Sequence, residues 1–338
     1  MIKNKSILNK KTILVVGGAG YIGAHFVNKA KERKNIKIIV VDDFRISRKN
    51  IIKDRNIIYY SFDIANMKKL ENLFGKYDID IVVHFAATAN VSDSVKNPQN
   101  YYINNVSNGI ILLRCMMKNN VKKIIFSSSA SVYGETNDDT IIESCAKSPI
   151  NPYGYTKLIF EQILKDYHLA YLLDSISFRY FCAAGCDESL KIGEYHSPET
   201  HIIPLIFETL FKKRKEFYIY GNDYPTSDGT GVRDYIHVND LASAHLLAMD
   251  FLLKNNNVCN AYNLGINKGY SVMELIKMAE KISGKKLNYK VKERRDKDPS
   301  RLVANSSKVQ KELAWKPKYT NIERIMLTAY NFYKHNKL

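Results

Sequence analysis

Thr12-Ile13-Leu14-Val15-Val16 runs straight into Gly17-Gly18-Ala19-Gly20-Tyr21-Ile22-Gly23, and the reading of this stretch decides the fold. Apolar residues at consecutive positions, instead of alternate ones, suit a strand buried on both faces. A Gly-x-x-Gly-x-x-Gly loop after such a strand lets the chain turn tightly. It also lets backbone N–H groups and a helix N-terminus approach a pyrophosphate. Glycines mark ordinary turns as well, so the surroundings matter. Here an amphipathic segment follows, then a second apolar run from Ile36 to Val41 that ends in Asp42. An acid about 20 residues past the loop can accept both hydroxyls of an adenosine ribose. Its charge repels a 2′-phosphate, so the pattern points to NAD in preference to NADP.

Further β-branched runs occupy residues 57–60, 79–84, 122–127 and 175–180. Segments of helical length, 21–33, 67–74, 98–119 and 153–171, lie between the strands. This alternation predicts an α/β fold, a doubly wound parallel sheet of the Rossmann kind with right-handed crossovers. Ligands then sit at the carboxyl ends of the strands. Past Tyr180 the regularity fails, although residues 238–251 and 261–264 again read as a helix and a strand. We expect an NAD-binding domain over residues 1–181, with returns near 236–264. A smaller, discontinuous substrate-binding domain is expected over residues 182–338.

Lys and Arg number 51 against 34 Asp and Glu in 338 residues, a formal charge of +17. Such a balance raises nucleic acid as a partner. The lysines are scattered among asparagines and isoleucines, however, and do not cluster with aromatics on one element, so no nucleic-acid partner is expected. Five cysteines, Cys115, Cys145, Cys182, Cys186 and Cys259, contain no Cys-x-x-Cys pair. That indicates neither a disulfide framework nor a zinc site, and no metal is expected. Reduced thiols fit a cytoplasmic location. No apolar run approaches the roughly 18 to 20 residues of a membrane span. The basic first ten residues read as an extension without the apolar region of a signal peptide.

Tyr153-Gly154-Tyr155-Thr156-Lys157 puts a phenol and an ammonium on one helix face, one turn apart. A free phenol has a pKa of about 10, and a nearby cation lowers it by about 1 to 3 units. Tyr153 then becomes a general base for an alcohol proton during hydride transfer. The spacing alone proves little, because Tyr330 and Lys334 repeat it with no glycine loop nearby and read as a surface pair. Tyr153 differs because Ser127-Ser128-Ser129-Ala130-Ser131 falls where the fifth strand should end, offering a hydroxyl to the same substrate oxygen. The bland alternative is a strand end whose hydroxyls satisfy the backbone.

The glycine loop, the run Ser127 to Gly134 and Tyr153-x-x-x-Lys157 resemble the extended short-chain dehydrogenase/reductases. Tyr220-Gly221-Asn222-Asp223-Tyr224-Pro225-Thr226, continued from Asp228 through Arg233-Asp234-Tyr235 to Val238, resembles the UDP-glucose 4-epimerase family. The similarity extends from about residue 12 to about residue 330. It implies an isomerase that inverts C4 of a UDP-sugar through a 4-keto intermediate, using retained NAD.

Carried onto this chain, the resemblance makes Tyr153 the acid/base at O4, Ser129 its hydrogen-bonded companion and Lys157 the ligand of the nicotinamide ribose that keeps the phenol acidic. Gly17, Gly20, Tyr21, Ile22 and Gly23 would hold the NAD diphosphate, Asp42 its adenosine ribose and Asp63 with Ile64 its adenine. Phe85, Ala86, Asn104 and Phe181 would line the cofactor cleft. For the UDP-sugar the resemblance implies Arg233 and Arg295 at the diphosphate and Asp298 at the uridine ribose. Cys182, His201, Ile202, Tyr218, Ile219, Tyr220 and Tyr235 would complete that pocket. Segments 98–119 and 153–171 match helices through which the family forms homodimers.

Three positions depart from the family pattern. Cys182 stands for an Asn that meets the substrate phosphates, Ala89 for a Lys in some members, and Leu302 for a bulky Tyr beside the C2 substituent. The last two imply a roomier pocket that accepts N-acetylated sugars. Pentose UDP-sugars are an alternative substrate class. A 4,6-dehydratase would need an acid–base pair beside the serine, and Ala130 and Ser131 carry no carboxylate. A non-catalytic NAD-binding protein is the remote alternative; such proteins commonly lose the Tyr or the Lys.

Overall fold

The apolar run ending at Val16 lies in the middle of a sheet. The computed structural model describes residues 10–47, 52, 54–136, 138–196, 198–295 and 298–336. Residues 1–9 of the expected ten-residue extension fall outside them. The chain proceeds through β1 (Lys11–Val16), α1 (Tyr21–Ala30), β2 (Ile36–Asp42), β3 (Ile57–Ser61), α2 (Met67–Lys76) and β4 (Ile81–His84). Then come α3 (Val91–Lys96), α4 (Pro98–Tyr102), α5 (Asn108–Lys118), β5 (Lys123–Ser129), α6 (Pro152–Tyr171) and β6 (Asp174–Tyr180). The remainder holds β7 (Cys182–Ala184), α7 (Ile202–Leu210), β8 (Phe217–Tyr220), β9 (Val232–His237), α8 (Val238–Lys254) and β10 (Cys259–Leu264). It ends with β11 (Gly269–Ser271), α9 (Val272–Ser283), β12 (Tyr289–Lys292), β13 (Arg301–Leu302), α10 (Ser307–Leu313) and α11 (Ile322–His335).

The described residues build a seven-stranded parallel sheet in the order β10-β6-β5-β4-β1-β2-β3. Successive side chains of a strand point to opposite faces, which is why consecutive apolar residues are needed. Ile13 and Val15 pack with Phe26, Val27, Leu241 and Met249 on the side of α1 and α8. Leu14 and Val16 pack with Leu112, Phe160 and Leu164 on the side of α5 and α6. A second core, including Phe207, Leu275, Ile325 and Met326, joins α7, α9 and α11. Among the described residues no helix is long and apolar enough to cross a membrane.

The strand order reverses between β1 and β4, and a doubly wound sheet opens a crevice at such a point. The Val16 carbonyl accepts the N–H groups of Phe85 and Ala86 at 2.8 and 3.0 Å, closing the floor of that crevice. α6 starts at the crevice because Asn151 caps it, accepting the Gly154 N–H at 2.9 Å, with Pro152 in its first turn.

The helix expected over 98–119 is interrupted. Residues Ile103–Ser107 form a π turn between α4 and α5. Its cause lies elsewhere in the chain: buried Asn105 accepts the Thr88 N–H at 2.8 Å and donates to the Thr88 carbonyl and the Thr156 hydroxyl. These bonds hold Asn105 against the chain beyond β4 and against α6, and a π bulge is the local form that accommodates such a demand.

Candidate active site

The three motif glycines answer different needs. Gly17 has φ +77°, and a Cβ there would lie 2.5 Å from the Ala86 nitrogen. A Cβ at Gly23 would lie 2.2 Å from the Gly17 carbonyl oxygen. The protein's own packing therefore requires both. Gly20 has φ −69°, and its Cβ would meet only the Gly17 oxygen at 3.5 Å. Neither backbone nor packing demands glycine at this position, which is the N-cap of α1 and carries no side-chain cap. A Cβ would fill space in front of the helix N-terminus, and this cradle fits a diphosphate.

Asp42 braces the same loop. Its carboxylate accepts the Ala19 N–H at 3.0 Å, the Phe44 N–H at 2.9 Å and the Ser47 hydroxyl at 2.9 Å. Asp63 accepts the Ala65 N–H at 2.9 Å, and Ile64 is buried beside it. Asn104, on the π turn, donates to Asn105 and accepts from Arg45 at 3.2 Å. Arg45 also pairs with Asp43 at 2.5 Å and approaches Asp63 at 3.5 Å, so it ties this rim together. The sequence reading passed over Arg45, because nothing local marks an arginine whose partners lie on three separate segments.

At the end of β5 the buried Ser129 hydrogen-bonds to Tyr153 and accepts the Ser131 N–H at 3.1 Å. Burial pushes the Tyr153 phenol above its usual range, and the Ser129 hydrogen bond opposes that. Lys157 does not act on the phenol as the sequence suggested. Its Nζ donates to the Ser127 carbonyl at 2.7 Å and stands 5.7 Å from the centre of the Tyr153 ring. Burial brings its own pKa down to about 7, although Glu161 pulls the other way. The helix spacing aligned the two residues correctly, but the strand-end carbonyl captured the ammonium.

A cavity of about 180 Å3 opens beside this pair, with Ser129, Phe181, Cys182, Arg233, Asp298 and Leu302 among its walls. Three parallel strands assemble it: Cys182 stands opposite Tyr235 in register, and Arg233 opposite Leu302. The Arg233 guanidinium pairs with Asp298 and also donates to the carbonyls of Pro299 and Val232, at 2.6 and 2.8 Å. Burial pushes the Cys182 thiol up to about 11, so it is neutral. Tyr235 is buried behind it.

On β8, alternation separates the expected residues. Tyr218 and Tyr220 carry cations on their rings, Lys292 at 3.7 Å and Arg295 at 4.2 Å from the ring centres. Ile219 instead turns into the second core. His201 and Ile202, at the start of α7, are not among the cavity walls. His201 faces Glu194 and Glu199, at 2.8 and 3.3 Å. Ala89 is exposed and does not line the cavity either.

A buried network behind Ser129 also escaped the sequence reading. Arg179 and Glu161 pair at 2.6 Å, Glu161 accepts the Ser128 hydroxyl at 2.5 Å, and Arg179 donates to the Tyr133 hydroxyl at 2.8 Å. An arginine within the expected sheet strand 175–180 was the available signal, since a charge there must have a buried partner.

Sheet, glycine cradle and Ser-Tyr-Lys set are those of the extended short-chain dehydrogenase/reductases. Residues 14–327 match the family model described as GDP-mannose 4,6 dehydratase. The UDP-glucose 4-epimerase of Halalkalibacterium halodurans is 42% identical over 324 residues, 96% of each chain. The crystal structure of UDP-glucose 4-epimerase from Bifidobacterium longum in complex with NAD+ and UDP aligns with TM-score 0.92 and 38% identity, covering 97% of this chain and 99% of that one. The structure of the UDP-Glc/GlcNAc 4-epimerase from the human pathogen Campylobacter jejuni aligns with TM-score 0.83 and 36% identity, covering 96% and 99%. The chain belongs to the UDP-glucose 4-epimerase family.

Proposed function

We propose that this protein interconverts UDP-galactose and UDP-glucose by inverting C4 of the sugar, with NAD retained between turnovers. The observation that carries this reading is Ser129, which walls the cavity and is paired with Tyr153, at the carboxyl end of a strand in the sheet that also presents the glycine cradle. Tyr153 takes the O4 proton as C4 is oxidised to the ketone, and returns it when the opposite face of the sugar is reduced. Ser129 holds O4 against the phenol through both halves of the reaction. Bound NAD would supply the hydride acceptor and donor, and its positively charged nicotinamide ring would oppose the rise in the phenol's pKa that burial causes. Lys157, held at the Ser127 carbonyl, is positioned for the nicotinamide ribose.

For NAD we assign Gly17, Gly20, Tyr21, Ile22 and Gly23 to the diphosphate. Asp42 is assigned to the adenosine ribose, Asp63 and Ile64 to the adenine, and Phe85, Ala86, Asn104 and Phe181 to the cleft. Arg233 and Arg295 are assigned to the substrate diphosphate, with Asp298 at the uridine ribose. Support comes from the Arg233–Asp298 pair, which keeps the guanidinium extended until a diphosphate competes for it. Cys182, Tyr218, Tyr220 and Tyr235 complete the UDP side. In this division residues 1–181, with returns near 236–264, serve the cofactor, and the rest of 182–338 serves the sugar nucleotide.

We propose further that the protein is a cytoplasmic homodimer. The exposed apolar side chains Tyr102, Ile103 and Ile110 on one helical stretch, and Tyr155 and Ile159 on α6, support an interface there. The direct test of the activity is to incubate purified protein with UDP-galactose and no added cofactor. UDP-glucose should form until equilibrium, and recovery of the galactose form alone would refute the reading.

A further inference from the structure

The segment leading into α7 carries four side chains able to bind a metal, in the pattern Glu194-x-His196-x-x-Glu199-x-His201. One donor atom from each lies within 4.8 Å of the others. His196 Nδ1 is 3.6 Å from a carboxylate oxygen of Glu194 and 3.6 Å from one of Glu199. His201 Nδ1 is 2.8 and 3.3 Å from the same two carboxylates. A tetrahedral ion with nitrogen and oxygen ligands at about 2.1 Å sets neighbouring ligand atoms about 3.4 Å apart. The four histidine–carboxylate distances bracket that value, with His196 and His201 facing different oxygens of Glu199.

A second observation is independent of that spacing. His196 Nδ1 is buried and has no hydrogen-bond partner, although two carboxylates face it. At 3.6 Å they are too far to accept a hydrogen bond and suitably placed to share an ion. Both carboxylate side chains are buried, 5% exposed for Glu194 and 4% for Glu199. Two buried carboxylates need a cationic partner, and a divalent ion supplies one.

The donors are also held from behind, as metal ligands are. Glu199 accepts the N–H groups of Thr200 and His201 at 2.7 and 2.9 Å. The Tyr333 hydroxyl donates to the Glu194 carbonyl at 3.1 Å, tying the segment to α11. The Tyr21 ring meets His196 edge-on, and its hydroxyl donates to the Gly185 carbonyl at 2.6 Å. The cluster therefore adjoins the first residue of α1, the helix that begins at the diphosphate cradle.

We propose that Glu194, His196, Glu199 and His201 bind one divalent transition-metal ion of the zinc class, which fixes this segment at the start of α7. Two imidazoles with two carboxylates suit Zn2+ or Co2+, whereas Mg2+ and Ca2+ favour oxygen-only sets.

Chelator-treated protein should bind one Co2+ per chain with the intense visible absorption of a tetrahedral site, and Zn2+ should displace it and raise the Tm. His196→Ala and Glu199→Gln should each weaken Co2+ binding at least tenfold. X-ray absorption of the Zn2+-loaded wild type should show nitrogen and oxygen neighbours with imidazole scattering, a readout that does not depend on either variant folding. No Co2+ absorption and no Tm change in wild type, undiminished binding in a folded His196→Ala, or sulfur around the zinc would each overturn the proposal. None of these readouts involves turnover, so they stand apart from the epimerase reading.

Discussion

The cofactor crevice and the sugar cavity lie side by side but are built in opposite ways. The crevice is local: strand, glycine turn and helix are contiguous between Lys11 and Ala30, and Asp42 reaches back to the Ala19 N–H from the end of the next strand. The cavity is assembled from distance. Cys182, Arg233 and Leu302 meet only because β7 and β13 both pair with β9. A site of the first kind is specified by a short run of sequence, while one of the second depends on strand register. The proposed chemistry falls where the two meet, at Ser129 and Tyr153.

The comparison can be broken or sharpened by substitution. The largest effect on rate is expected where the regions join. Tyr153→Phe should lower kcat about 100- to 10,000-fold, the usual worth of a positioned acid/base, with NAD and UDP binding intact; near-normal turnover would remove Tyr153 from the reaction. Arg179→Met tests the support behind the junction. It strands the buried Glu161 carboxylate, and breaking such a pair costs about 3 to 5 kcal/mol, read as a lower urea midpoint.

On the cavity side, Arg233→Ala should raise KM by about 10- to 100-fold with a smaller change in kcat, from the loss of about 1.5 to 3 kcal/mol of charged hydrogen bonding. Unchanged KM would place the diphosphate elsewhere.

On the crevice side, Lys157 links stability to pH. Its folded pKa of about 7 lies below the ordinary lysine value, so above pH 7 the unfolded chain holds a proton that the native chain has released. Stability from this group therefore rises with pH from about 7 up to the ordinary lysine range. Urea midpoints at pH 7 and pH 9 should show that rise in wild type and a flatter response in Lys157→Met.

The smallest effect is expected on specificity. Leu302 walls the cavity, and Leu302→Tyr should depress 4-epimerisation of UDP-N-acetylglucosamine more than that of UDP-glucose. Absence of the N-acetyl activity in wild type would mean that other residues close the pocket.

Most of the sheet was legible because strands buried on both faces need consecutive apolar residues, as 12–16 and 36–41 have. The glycine loop was legible because strand, turn and helix follow one another directly in sequence. The π turn was not, since its cause is the bonding of Asn105 to Thr88 and Thr156. Lys157 was placed on the correct helix face, but its bond to the Ser127 carbonyl was not legible, because that carbonyl lies 30 residues away in sequence. His201 and Ile219 were assigned to the sugar pocket by resemblance, yet one faces Glu194 and the other enters the second core.

The central claim is that C4 gives up its hydride beside Tyr153 and Ser129 and receives the same hydride back on its other face. UDP-galactose carrying deuterium at C4 tests it most directly, with mass spectrometry and NMR of the product formed in ordinary water. The account predicts UDP-glucose with the deuterium still at C4. Epimerised product that has lost its label to solvent would contradict a returned hydride, and a dehydrated sugar in its place would contradict the assignment of the reaction.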